Sequence, residues 1–139
     1  MKRTTDLERE MSGRIKLNAF LEKNKDQFIS YDMKAILVPY MEEKGLSKAE
    51  LARRSKMSDV YLFQILSGRR KPSRDKLLGI CIGMELTIQE TQSILKQCHE
   101  VPLYAKDRRD AIILFGIERS WNMDEIDDAL FEAGERLLT

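Results

Sequence analysis

The 139-residue sequence predicts an all-α protein. Apolar residues recur at 3.6-residue spacing along nearly the whole chain, alternating β-branched runs between turn residues are absent, and capping residues stand where the apolar stripes begin and end. At 42% apolar and 34% charged residues, the composition is that of a folded domain with a core rather than a disordered segment.

Residues 7 to 29 (Leu7, Met11, Ile15, Leu17, Phe20, Leu21, Phe28) suggest one or two amphipathic helices, interrupted near Ser12-Gly13. The stripe Met33, Ile36, Leu37, Tyr40, Met41 ends at Gly45, a residue suited to the left-handed position that closes a helix. Pro39 lies inside this stripe; it removes one backbone hydrogen bond and either kinks the helix or marks its real start. Ser47, with Glu50 three residues on, is a capping box opening a short helix through Ser55. Ser58 caps a second short helix, Val60 to Leu66, which stops at Gly68 and is followed by the basic turn Arg69-Arg70-Lys71-Pro72. Ser73 caps a helix to about Met84, and Thr87, with Glu90 at its third helical position, caps another to about Cys98.

From there the chain repeats itself at an offset of 35, matching Lys71 with Lys106, Arg74 with Arg109, Asp75 with Asp110 and Ile82 with Ile117. Glu90 and Glu125, Leu95 and Leu130, Glu100 and Glu135, and Leu103 and Leu138 also match, giving eight identities in 33 positions. Average composition would give about two. The pattern reads as two successive helix hairpins stacked as a short array; two unrelated amphipathic hairpins remain the alternative. Asp75 falls in the first turn of its helix, where a carboxylate favours the dipole, so a structural role competes with a functional one for Arg74 and Asp75.

The net charge of +1 hides a segregation. Residues 44 to 76 hold ten Lys or Arg against three Asp or Glu, whereas residues 107 to 139 hold four against nine. One part of the chain attracts a polyanion and the other repels it. No apolar run approaches the roughly 20 residues that span a bilayer, so a cytoplasmic protein with no membrane partner is expected. Cys81 and Cys98 sit among apolar neighbours and read as reduced core residues. His99 has no second ligand at metal-binding spacing, and no phosphate loop or nucleophile elbow occurs, so neither enzyme nor cofactor is expected. The acidic cluster Asp124, Glu125, Asp127, Asp128 fans around a helix rather than converging on one ion, and reads as a solvated face.

Residues 46 to 66 meet the demands of a helix-turn-helix: Leu51, Met57, Leu62 and Ile65 occupy the apolar places, and Ala52 the close approach between helices. That leaves Asp59, Val60, Phe63 and Gln64 on the outward face of the second helix. The stretch from about Met33 to Met84 resembles the lambda-repressor-like, or Xre-type, family. The resemblance is carried by Gly45-Leu46-Ser47, Glu50-Leu51-Ala52, Ser58, Leu62, Ile65, Gly68, Arg70, Pro72-Ser73 and Leu77. The extension resembles a hairpin beginning "RD" that follows the five-helix unit in Xre-like regulators of Gram-positive bacteria.

This resemblance implies a lambda-repressor-like helix-turn-helix domain over residues 31–103, with an N-terminal helical arm over 1–30 and a stacked acidic C-terminal hairpin over 104–139. It also implies roles: Lys48 contacts a phosphate, Asp59, Val60, Phe63 and Gln64 read bases, and Arg69, Arg70 and Lys71 follow the DNA backbone. Arg54, Lys56, Ser58 and Tyr61 complete the candidate contacts. Lys56 stands where the family usually has glycine, in a turn that would place it at positive φ, and only Gln64 is a good base reader. The implied function is a transcription regulator that binds a palindromic operator in double-stranded DNA as a homodimer. The alternative is an adaptor or antitoxin-like protein that turns Tyr61, Phe63 and the C-terminal hairpin to another protein.

Overall fold

A computed structural model describes residues 1–28 and 32–139 of the chain, which divides into two compact units, Met1–Tyr31 and Asp32–Thr139. The boundary expected at residues 30 and 31, and the end of the first stripe at residue 29, lie outside the described residues. Among the described residues every regular element is helical, and no helix is long and apolar enough to cross a membrane.

The first unit holds α1 (Thr4–Met11), α2 (Leu17–Lys23) and a 3-10 turn, Lys25–Gln27. The interruption falls at Ser12-Gly13 as the spacing predicts, but α1 starts at Thr4, ahead of the first apolar residue of its stripe. A polar knot joins the two helices. The buried Asn24 donates through Nδ2 to Glu10 Oε2 at 2.8 Å and to the Phe20 carbonyl at 3.1 Å, while Lys2 and Lys23 both reach Glu10 Oε1 at 2.8 Å. Hydrogen bonds from Lys2 and then Lys23 hold the Glu10 carboxyl at about 2. Of the stripe's apolar residues only Phe20 is buried, whereas Met11, Leu17, Leu21 and Phe28 stay largely exposed.

The second unit comprises α3 (Met33–Lys44), α4 (Lys48–Arg54), α5 (Asp59–Leu66), α6 (Arg74–Gly83), α7 (Ile88–Gln97), α8 (Arg108–Glu118) and α9 (Met123–Glu132). Ser47, Ser58, Ser73 and Thr87 accept from the amides of Glu50, Tyr61, Lys76 and Glu90, so each cap ends its loop where the sequence places it. Gly45, at φ 66°, takes the left-handed conformation that closes α3. Helix α3 runs unbroken through Pro39, from an Asp32 cap that accepts the Ala35 amide at 3.1 Å. Pro39 and Ala35 are both exposed, so water can satisfy the Ala35 carbonyl that proline leaves without a donor.

Leu37, Leu51, Leu62, Ile65, Leu77 and Ile80 are fully buried at the centre of this unit. Burial pushes the Cys81 thiol up to about 12, and Cys98 lies buried beside Met33, its sulfur 3.9 Å from Sδ, so both cysteines are reduced core residues. Helix α4 lies on a flat strip of α6 made by Gly79 and Gly83. A Cβ at Gly83 would stand 2.5 Å from Ser55 Oγ and 3.3 Å from Leu51 Cδ1, whereas one at Gly79 would meet nothing closer than 3.5 Å.

The two C-terminal hairpins make matching bonds at the offset of 35. Arg74 pairs with Asp110 at 2.9 Å and donates to the Val101 and Pro102 carbonyls; Arg109 pairs with Asp75 at 3.0 Å and donates to those of Arg136 and Leu137. Each arginine thus pins the tail of its own hairpin and the carboxylate of the other. The Leu103 amide donates to Gln92 Oε1 at 2.7 Å, and the Leu138 amide to Asp127 Oδ1 at 2.8 Å. Glu85 and Ser120, one offset apart, both turn at positive φ. Asp127 therefore departs from the solvated face read for it: it is buried and also accepts from Thr139 Oγ1.

Two outcomes follow, each read from urea unfolding. Gly83→Ala destabilises the protein by about 1–3 kcal/mol, because the new methyl overpacks the buried Ser55, while Gly79→Ala is neutral or stabilising by up to about 1 kcal/mol through helix propensity. Equal losses at both positions would contradict the close crossing. Arg74→Ala, which strips the partner from the nearly buried Asp110, costs about 2–4 kcal/mol, and Asp110→Ala in that background recovers part of the loss. Burial raises the Asp110 carboxyl, but the Arg74 hydrogen bond and the Tyr104 amide outweigh it and hold it below its ordinary value. The stabilisation is thus complete above about pH 4 and lost as pH falls through the lowered value. A loss that appears instead on raising the pH would contradict it.

Candidate nucleic-acid interface

The helix-turn-helix is built by α4, its turn and α5. Leu51, Ala52, Leu62 and Ile65 are fully buried, as their places require. Met57, expected in the same core, is only half-buried; it lies in the turn, tied by its amide to the Ala52 carbonyl at 3.0 Å. Lys56 takes φ 60°, the left-handed conformation that costs a non-glycine residue about 1 kcal/mol.

The candidate contacts fall into two groups. Arg54 bonds Glu50 at 3.0 Å and lies 3.9 Å from Glu85, and Lys56 pairs with Asp124 at 3.1 Å. With Arg53, Gly83 and Asn122 they line a polar basin of about 310 Å³ between α4 and the start of α9. Arg53 and then Arg54 hold the Glu50 carboxyl below its usual range. These two candidate cations are therefore engaged by carboxylates of the same chain.

The second group surrounds the outer face of α5. Ser58 Oγ accepts the Tyr61 amide at 3.0 Å, and Asp59 stands exposed in the first turn, where a carboxylate suits the helix dipole. Val60 is 65% exposed and Phe63 49%, values high enough to leave both side chains open to a partner. Lys48 Nζ, from the first turn of α4, stands 5.9 Å from the Phe63 ring. Arg70 lies 4.9 Å over the half-buried Tyr61 ring, donates through Nε to Gln64 Oε1 at 3.0 Å and closes its own amide on the Gln64 carbonyl. Arg69 and Lys71 are exposed in the same turn. Lys76 reaches the Tyr61 ring from α6 at 5.6 Å. The sequence does not single it out, because only the packing of both α5 and α6 on α4 brings it there; its place in the basic segment is the one available signal.

Aromatic rings of α5 thus gather cations from the start of α4, the α5–α6 turn and the start of α6 into a rim around one helix face. Each such contact contributes about 0.5–1 kcal/mol at an exposed site, enough to bias a long side chain without immobilising it. Among the described residues Gln64 Oε1 accepts only from Arg70, which leaves its amide NH₂ group and a second lone pair on Oε1 open. No group of three or more His, Cys, Asp or Glu among the described residues could hold a metal ion.

The Helix-turn-helix family model matches residues 40–90, from the second half of α3 to the first turn of α7. No curated protein and no solved structure matches the chain. The capped α4 and α5, the buried Leu51, Ala52, Leu62 and Ile65, and this match together place residues 40–90 in the lambda-repressor-like, Xre-type helix-turn-helix family.

Proposed function

We propose that the protein is a sequence-specific transcription regulator that lays α5 in the major groove of a palindromic operator and binds it as a dimer. The observation that carries this reading is the rim itself: Lys48, Arg70 and Lys76 come from three elements yet converge on the rings of Tyr61 and Phe63. Cations so placed neutralise phosphates on either side of a groove-bound helix. Gln64 would pair with adenine and Val60 would touch a thymine methyl. Phe63 would pack on a deoxyribose, and Arg69 to Lys71 would follow the backbone. Arg54 and Lys56, tied to Glu50, Glu85 and Asp124, contribute less. The helical arm and the hairpin over 104–139 lie outside the reading unit in this account.

The exposure of Val60 and Phe63 also favours a second reading, in which the same face binds another protein. Titrating a labelled duplex at several salt concentrations separates the two. A regulator loses affinity steeply with salt, and Lys48→Ala with Arg69→Ala flattens the log–log slope by about 2, one unit for each phosphate no longer neutralised. Weak binding whose slope neither substitution changes would favour the protein-binding reading.

A further inference from the structure

The outer side of the last hairpin carries an open apolar groove of about 470 Å³, formed by Ala111, Ile112, Phe115, Trp121, Ala129 and Ala133. Phe115 is 50% exposed even though Trp121 stands edge-on to its ring at 5.5 Å, so the wall of the groove is preformed but uncovered. The bonds that recur at the offset of 35 identify its counterpart on the preceding hairpin. Five of the six positions there are Leu77, Ile80, Leu86, Ile94 and Cys98, and none is more than 4% exposed. Met33 at the start of α3 lies against Cys98 of that surface, its Sδ 3.9 Å from the thiol. The same structural surface is therefore covered in one hairpin and open in the next.

The two edges of the open groove differ in charge. Its α8 edge carries Arg119, stacked 3.4 Å over the Phe115 ring, while Arg108 on the same edge is paired with Glu135 of its own chain at 3.0 Å. Its α9 edge, beyond Trp121, carries Glu125, Asp128 and Glu132. A twofold axis lying in the contact plane and running along the groove lays the basic edge of one molecule on the acidic edge of its mate, while the apolar strip of each closes the other. We infer that this groove is the contact face between two copies of the chain, related by a twofold axis. The inference rests on the two-copy part of the proposed function and is tested without DNA, so its failure leaves DNA binding itself standing.

Sedimentation equilibrium of the DNA-free full chain provides the test. The wild type sediments as a dimer, and Arg119→Glu alone, or Asp128→Lys with Glu132→Lys, each weakens self-association by about tenfold or more. Mixing the two weakened proteins restores wild-type affinity, because in the mixed pair both edges again face opposite charge. If the swaps unfold the hairpin, judged by circular dichroism, Arg119→Gln and Glu132→Gln show the same loss in milder form. A monomeric wild type, variants that dimerise like the wild type, or a mixture that stays weakened would each overturn the proposal; a monomeric wild type would leave the groove to a different partner.

Discussion

The crossing of α4 over α6 fixes where α5 points. Helix α4 approaches so closely that Ser55 Oγ occupies the space a Gly83 side chain would need, and Leu51 fills the remainder. The crossing sacrifices a hydrogen bond, since Ser55 Oγ is buried and unpartnered among the described residues. Because the turn after α4 is closed by Lys56 at positive φ and by the Met57 amide, the direction of α5 follows from that of α4 with little freedom left. The apolar core places α5 at the surface. The ring and cation contacts then dress the face it exposes.

The same helix α6 anchors the rest of the unit. Its first two residues, Arg74 and Asp75, exchange ion pairs with Asp110 and Arg109 at the start of α8, and both arginines also hold the tail of their own hairpin. Arg109 and Asp110 are largely sequestered, which makes loss of one partner costly. The acidic hairpin is thereby coupled to the helix on which α4 packs. Lys56 and Asp124 add a second, more exposed link.

Much of this is legible because the signals are local. A serine or threonine three residues ahead of an amide it can accept specifies a helix start whatever surrounds it, and Ser47, Ser58, Ser73 and Thr87 all act so. The glycine the family usually places at position 56 is enough to expect positive φ for Lys56. The sequence leaves the course of the chain through Pro39 open, because α3 can continue only where water reaches the Ala35 carbonyl, and that exposure is a property of the packing. What escapes depends on packing. The repeat marks Arg74, Asp75, Arg109 and Asp110 as matched residues, but it does not reveal that each pairs with the other hairpin's residue. Asp127 resembles one more surface acid until the chain end folds back onto it. Met57 fits the apolar pattern, yet a turn leaves less cover than a helix face. Lys76 joins the Tyr61 ring only through the angle between α5 and α6. In the first unit, exposed apolar residues such as Leu17 and Leu21 follow a helical stripe without forming a core, and periodicity alone does not distinguish the two.

The proposed role has α5, framed by cations from three elements, reading duplex DNA in two symmetric copies. Selection of bound fragments from a pool of random-sequence duplexes by the full chain tests it most directly. The expected result is enrichment of an inverted repeat whose half-site centres lie about 10 base pairs apart, one helical turn, with an adenine among its most constrained positions. A bound pool with no enriched sequence, or a single half-site without its mirror image, would contradict it.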